Sequence, residues 1–262
     1  MITLLTDFGA ADYFVAAVKG AILTTDPAAQ IIDITHEIPP QDIASAAFTL
    51  GACFRDFPKN TVHLAVVDPG VGSTRRPIVV EAAGQFFVGP DNGIFSYIYA
   101  HTSDARVFHA TRSEMFGRQV GATFHARDVF APLAAQLARR LDPTIAGEQI
   151  FDYVQFDIPQ PSCDAGSGDI IGEIIHVDRF GNCVTNLSSR ELDPRKIGPT
   201  TRLLLGEETV TRFGTHFAGF EHDRALFAYL GSAEYWEIAL WCASAAIHLG
   251  ALRGMKVTLP GP

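Results

Sequence analysis

Four short segments of the chain combine carboxylates, a guanidinium or an imidazole with glycine: TDFGAAD (6–12), VDPGVGSTRR (67–76), VGPDNG (88–93) and TFHARD (123–128). Glycine allows close backbone approach to a ligand or a left-handed turn. Around these turns Asp7, Asp12, Asp68, Asp91, Arg75, His125 and Asp128 supply charge. A carboxylate, a guanidinium and an imidazole together can orient a water molecule and accept or relay its proton. Taken singly, Asp-Pro-Gly and Asp-Asn-Gly are ordinary turn chemistry. His125 alone reads equally well as a hydrogen-bonded histidine at a helix start. Taken together, the four segments are expected at the carboxyl ends of strands, where open α/β sheets bind ligands.

A second cluster is VDRFGNCVTN (177–186). Asp178 offers a carboxylate to an amine, Phe180 a ring to stack on a base, and Asn182 an amide to read a base edge. The plainer reading is a β-hairpin with Gly181-Asn182 in its turn. A third segment, YLGSAEYWEIAL (229–240), places Ser232 and Glu237 around a pair of strands.

Several chemistries lack their signatures. DPGVG has neither the lysine nor the hydroxyl of a phosphate loop, and no G-x-G-x-x-G follows the first strand. No G-x-S-x-G elbow is present. The cysteines, Cys53, Cys163, Cys183 and Cys242, form no C-x-x-C pair, so neither a zinc knuckle nor a thioredoxin-type site is expected. The segment around His125 and Asp128 contains one histidine only, and no metal site is expected there.

The elements that must position these groups change character along the chain. In the first half, strand-like segments (2–5, 30–35, 61–67) alternate with helical spacing (13–23, 42–54, 128–140), and 77–81 with 85–88 reads as a hairpin. Such alternation indicates an α/β domain with a layered sheet. Residues 151–168 are rich in proline and glycine without a period, as in a linker. Beyond them come short strand-like segments (169–177, 183–186, 202–205, 208–213, 225–230, 236–241, 255–259) with one helix near 243–249. This pattern suggests a smaller C-terminal β-barrel-like domain. The expected division is 1–155 for the N-terminal domain, 156–168 for the linker and 169–262 for the C-terminal domain.

Of 262 residues, 47% are hydrophobic and 19% charged, which excludes disorder as the main state. The net charge of −9 disfavours nucleic acid or an anionic membrane as main partner. It is compatible with a cationic small ligand. The N-terminal residues carry no signal-peptide pattern. The longest apolar run, 238–247, falls short of the ~20 residues that a span needs. Scattered thiols fit a reducing compartment, so a cytoplasmic protein is expected.

TDFGAADYFVAAVKG, VDPGVGSTRR, PDNG, TFHARDVFAP and VDRFGNCVTN, in this order, closely resemble the S-adenosyl-L-methionine (SAM) hydroxide adenosyltransferase family. Its members are adenosine-forming SAM hydrolases, related to fluorinase and chlorinase. The resemblance covers nearly the whole chain. It implies an N-terminal α/β domain, a C-terminal β-barrel-like domain, and a homotrimer holding SAM between neighbouring subunits. SAM is then the substrate, with no cofactor and no metal. The resemblance places the catalytic set on Asp68, Arg75 and His125. It places the ribose-binding carboxylate on Asp7, the ammonium-binding carboxylate on Asp178, the adenine-reading amide on Asn182, and a methionine-carboxylate contact on Ser232. Asp12 and Glu237 also fall on motif positions and, with Phe180, complete the expected substrate-binding set. The chain departs from the pattern with Gly231 before Ser232, where asparagine is expected, and with Ala126, where glycine is expected. Halogenating relatives carry an aromatic residue where Asp68 stands, so Asp68 favours water over halide. Three alternatives stay open: halide transfer to C5′, a SAM- or adenosine-binding regulatory protein without turnover, and a metal-dependent hydrolase using His125 and Asp128.

Overall fold

The computed structural model describes residues 1–117, 119–222 and 224–261, in two compact units, Met1–Asp157 and Ile158–Pro262. In the first unit, β1 (Ile2–Thr6), β2 (Ile31–Thr35), β3 (Val62–Val66), β4 (Pro77–Ala82), β5 (Gln85–Pro90), β6 (Arg106–His109) and β7 (Gln149–Ile150) form one sheet. Its order is β2-β1-β3-β5-β4-β6-β7. The first four of these are parallel neighbours, and β4, β6 and β7 add on antiparallel. The carboxyl ends of β1, β3 and β5 therefore share one edge.

Strands β1 and β3 are buried along their whole length. Burial on both faces is why their sequences are nearly continuous apolar runs rather than alternating ones. Ile2, Leu4 and Leu64 pack with Val18 and Ile22 of α1 (Phe14–Thr25) and with Leu133 of α4 (Ala131–Ala138). Leu5, Ala65 and Val67 pack on the other face with Leu50 of α2 (Ile43–Cys53) and Ile98 of α3 (Ser96–His101). The unit is thus a three-layer α/β/α sandwich. The sequence reading lacked α3, β6 and β7, which have six, four and two residues. Elements that short carry too few residues to show a period.

One polar group lies deep in this core. His63 in β3 is 1% exposed. Its Nδ1 lies 2.8 Å from Thr3 Oγ1, and its ring stacks on Phe87 at 4.9 Å. Burial pushes its pKa down to about 4.

The expectation that TFHARD follows a strand is corrected. After β6 the chain passes through a short 3-10 turn, Ser113–Met115, and among the described residues no strand intervenes before a π turn, Ala126–Phe130, that leads into α4. The segment lacks the apolar alternation of a strand, and its ring anchors a loop instead. Phe124 packs against Phe8 at 6.1 Å and Phe14 at 5.4 Å. His125 reaches its place as the residue preceding the π turn.

The second unit contains β8 (Ser162–Cys163), β9 (Ile170–Val177), β10 (Cys183–Ser188), β11 (Leu203–Leu205), β12 (Glu208–Val210), β13 (Phe213–Gly214), β14 (Phe227–Leu230), β15 (Tyr235–Ala239) and β16 (Lys256–Leu259). The nine strands form one sheet in the path β12-β11-β16-β9-β10-β15-β14-β13, with β8 pairing β9. Leu203, Val257, Ile174, Cys183, Ile238 and Ala228, from six successive strands of that path, meet in a single core. A flat sheet of this width could not bring them together, so the sheet curls in a barrel-like way around them. Helix α5 (Ala245–Leu249) starts from Ser244, whose side chain accepts from Ile247 N, and ends at the left-handed Gly250. The proline- and glycine-rich stretch at 151–168 is not wholly irregular, since β8 lies within it and pairs with β9. Among the described residues no helix is long and apolar enough to cross a membrane. All four cysteines are free thiols.

Candidate active site

The first three glycine-bearing segments leave the shared edge of the sheet from β1, β3 and β5. Beyond β3, Asp68 and Arg75 face each other across the DPGVG turn. Arg75 Nε donates to both carboxylate oxygens at 3.0 and 2.9 Å, and Nη2 donates to Oδ2. The two side chains are only 6% and 9% exposed, so water screens the pair little. The same Nη2 lies 2.8 Å from His125 Nδ1. Arginine has only donors, so Nδ1 accepts and the neutral imidazole carries its proton on Nε2. Burial and then the Arg75 cation hold the His125 pKa below the usual histidine value, against the opposing pull of Asp68 and Asp128. The guanidinium also lies over the ring of Phe130, 5.1 Å from its centroid.

Local structure explains how the turn from Asp68 to Arg75 achieves this. Ser73 Oγ accepts from Arg75 N at 3.2 Å, and Val71 N donates to Asp68 O at 3.1 Å. Gly72 has φ +79, and a Cβ there would stand 2.5 Å from Ala122 O. Only glycine lets this turn rest on the 121–124 backbone. Asn92 of PDNG donates from Nδ2 to Val67 O at 2.8 Å, tying the end of β5 to the end of β3. Asp91, by contrast, is a structural carboxylate. It accepts from Arg76 Nε at 2.8 Å and from Val154 N at 2.7 Å. Asp7 lies in the loop after β1, its Oδ2 accepting from Gln41 N at 2.8 Å, and Asp12 is exposed farther along that loop. Asp128 Oδ2 accepts from Gly121 N at 2.9 Å, and Oδ1 accepts from Arg127 Nε at 2.6 Å. Thus Asp68, Arg75 and His125 are in direct contact, while Asp7 and Asp12 belong to the neighbouring loop.

The second unit holds the other expected residues. VDRFGNCVTN is the β9–β10 hairpin, with Cys183 opposite Val177. Asp178 closes it, Oδ1 accepting from Phe180 N and Asn182 N at 2.8 Å each and Oδ2 from Asn182 Nδ2 at 2.8 Å. Phe180 is 79% exposed, whereas Asn182 is buried. Glu237 on β15 lies opposite Tyr229 on β14 and accepts from its hydroxyl. Burial raises the Glu237 pKa, Tyr229 opposes this, and the Asp178 charge adds to it. At Gly231, one departure from the family pattern, a Cβ would overlap Glu237 Oε1, so a larger residue requires the glutamate side chain to shift. Glycine leaves that space to the glutamate. Ser232 is exposed in the β14–β15 turn. The other departure, Ala126, is accommodated by the π turn, which asks for no left-handed backbone there.

Sequence reading missed Phe130, Tyr229, Ser73 and the Phe8–Phe14–Phe124 cluster. Ser73, two residues before Arg75, carried a turn signal. Tyr229 carried one in its strand register opposite Glu237. Phe130 carried none, because a regular helix would turn it away from His125. Among the described residues no three of His, Cys, Asp and Glu converge as a metal-holding group.

Comparison with known proteins agrees with this layout. The SAM hydroxide adenosyltransferase N-terminal domain matches residues 2–147, and the C-terminal domain of the same family matches residues 172–258. The (R)-S-adenosyl-L-methionine hydrolase of Thermus thermophilus is 35% identical, with 97% of each chain covered. The protein of the same name from Methanocaldococcus jannaschii is 36% identical over 73% of this chain and 68% of its own. A fluorinase of Nocardia brasiliensis is 26% identical, covering 98% of this chain and 95% of its own. A crystal structure of an uncharacterized conserved protein from Thermotoga maritima superposes with a TM-score of 0.91 at 32% identity, covering 99% of both chains. Two domain matches in order, and similarity running nearly end to end, place the chain in the SAM hydroxide adenosyltransferase family.

Proposed function

We propose that this protein hydrolyses S-adenosyl-L-methionine to adenosine and L-methionine. The observation that carries the reading is the half-buried contact of Asp68, Arg75 and His125 at the carboxyl edge of the sheet. It occurs in a chain whose hydrolase relative covers 97% of it. A water oxygen attacks C5′ of the ribose in line with the sulfonium. The new O–C5′ bond forms as the C5′–S bond breaks, and the bonding pair leaves on sulfur. The leaving group is a neutral thioether, so no general acid is needed. The water gives up one proton, and each turnover releases one proton overall.

Asp68 is the acceptor for that proton, and Arg75 fixes its carboxylate in one orientation. His125 stays neutral and presents Nε2–H as a donor to the water. A nucleophile gaining negative character and a sulfonium losing positive charge neutralise each other in the transition state. A water-poor site favours that change. In this reading Asp7, Asp12, Asp178, Phe180, Asn182, Ser232 and Glu237 hold the substrate: ribose at Asp7, ammonium at Asp178, adenine at Asn182. The reading includes a cytoplasmic homotrimer with SAM held between subunits, which light scattering on the purified protein tests.

Incubating the protein with SAM, with and without chloride and with and without EDTA, tests the reading by chromatography with mass detection. Adenosine and methionine in equal amounts, unaffected by EDTA, are expected. A 5′-chloro nucleoside, or SAM recovered intact in complex, overturns it.

A further inference from the structure

The catalytic set depends on a helix that begins with the wrong pitch. Ala131 N donates to Ala126 O, five residues back, rather than four. In a regular α-helix with 3.6 residues per turn, residues five apart lie about 140° apart around the axis. His125 and Phe130 are five apart, yet both meet Arg75, one at 2.8 Å through Nδ1 and the other at 5.1 Å through the ring face. The wider π turn is what stacks i over i+5, and such turns recur at functional sites. Arg75 is thereby held on three sides, by the Asp68 carboxylate, the His125 nitrogen and the Phe130 ring.

Asp128 sits at the middle of this turn, 5% exposed. Its carboxylate accepts from Gly121 N, and its backbone oxygen accepts from Gly117 N at 2.7 Å. It pins Gly117 and Gly121 to the turn. Gly72 of the DPGVG turn rests on the residue after Gly121, Ala122. One carboxylate thus links the helix that carries His125 to the turn that carries Arg75. We propose that Phe130 and Asp128 are positioning residues for the hydrolysis, the π turn being the device that aims His125 and Arg75 at each other. This rests on the functional reading above.

The groups facing His125 are Arg75 and Asp68 from the turn after β3, and Asp128 from the π turn. Removing the ring under Arg75 loosens the cation that holds the imidazole neutral. The acid limb of kcat must then move to higher pH while KM and the melting temperature stay near their wild-type values, a combination that a general loss of packing would not give. The test compares wild type with Phe130→Met, Asp128→Ala and Asp128→Asn. Adenosine release is measured across pH, folding by circular dichroism and melting, and the His125 tautomer by nitrogen-15 NMR. Phe130→Met is expected to lower kcat about tenfold with KM within about twofold, and to shift the acid limb upward. Asp128→Ala is expected to lose kcat similarly, and Asp128→Asn, which keeps the acceptor for Gly121, to regain most of it. A folded Phe130→Met with wild-type kcat and acid limb overturns the proposal. If Phe130→Met does not fold, the Asp128 pair decides, and Asp128→Asn no better than Asp128→Ala overturns it. A wild type that releases no adenosine overturns the functional reading instead. The nitrogen spectrum then still tests the device, and a His125 proton on Nδ1 overturns it.

Discussion

The two polar clusters of this protein solve opposite electrostatic problems. In the first unit the Asp68 carboxylate is matched by Arg75, and His125 is kept neutral beside them. The charges of this cluster balance one another. In the second unit Asp178 is held by amide N–H groups, and Glu237 stands near it with its pKa raised by burial and by that neighbouring charge. A pair of acids sharing a partly buried site is stabilised by an incoming cation. In the proposed reading the first cluster acts on a water molecule, and the second holds a positively charged group. The contrast assigns them different kinetic constants, kcat to the first and KM to the second.

The largest effect is expected from Asp68→Asn, which removes the proton acceptor and leaves Arg75 unmatched. Turnover should fall about 10²–10⁴-fold. The dissociation constant for SAM, measured by calorimetry, should stay within a few-fold of wild type. Equal losses in both would merge the two clusters into one role. Next, Asp178→Asn removes a charge from the binding cluster. KM for SAM should rise by about 10–100-fold with kcat nearly unchanged. A smaller effect follows from Gly231→Ala, whose Cβ would displace Glu237. A KM several-fold higher, measured by initial rates, is expected, and a fall in kcat alone would contradict the assignment.

The pH profiles sharpen the contrast further. The His125 pKa is lowered, so kcat should remain flat through the usual histidine range and fall only below it. The Glu237 pKa is raised, so the site loses a negative charge as pH falls through that value, and KM should rise. Glu237→Gln should remove most of the rise in KM and leave the kcat profile untouched. A pH-dependent KM that survives this substitution would assign the titration elsewhere.

The residues of the first cluster were legible because turn residues and charged residues coincide in DPGVGSTRR, and because five ordered motifs matched one family. The α/β layering was legible because β1 and β3 are continuous apolar runs buried on both faces. What was not legible is three-dimensional in origin. Five-residue spacing carries no helical signal, so Phe130 looked like ordinary core. The place of TFHARD was misread because a helix start, like a strand end, combines polar residues with a bend. Gly231 was visible as an exception, but its closeness to Glu237 shows only in three dimensions.

Strand β3 carries another consequence, at the end away from Asp68. His63 is buried neutral between Thr3 and Phe87, with a pKa of about 4. The unfolded chain would protonate the same imidazole near 6.5. Above that pH both states hold the imidazole neutral, and its titration makes no difference to stability. Between about 6.5 and 4 the unfolded state binds a proton that the folded state refuses, so stability falls by about 3 kcal/mol as the solution is acidified. Below about 4 both states are protonated and the loss stops growing. The strand that leads to Asp68 therefore also carries a group that weakens the fold in acid. Melting temperatures at pH 7 and pH 4.5 should converge in a His63→Gln protein and diverge in the wild type.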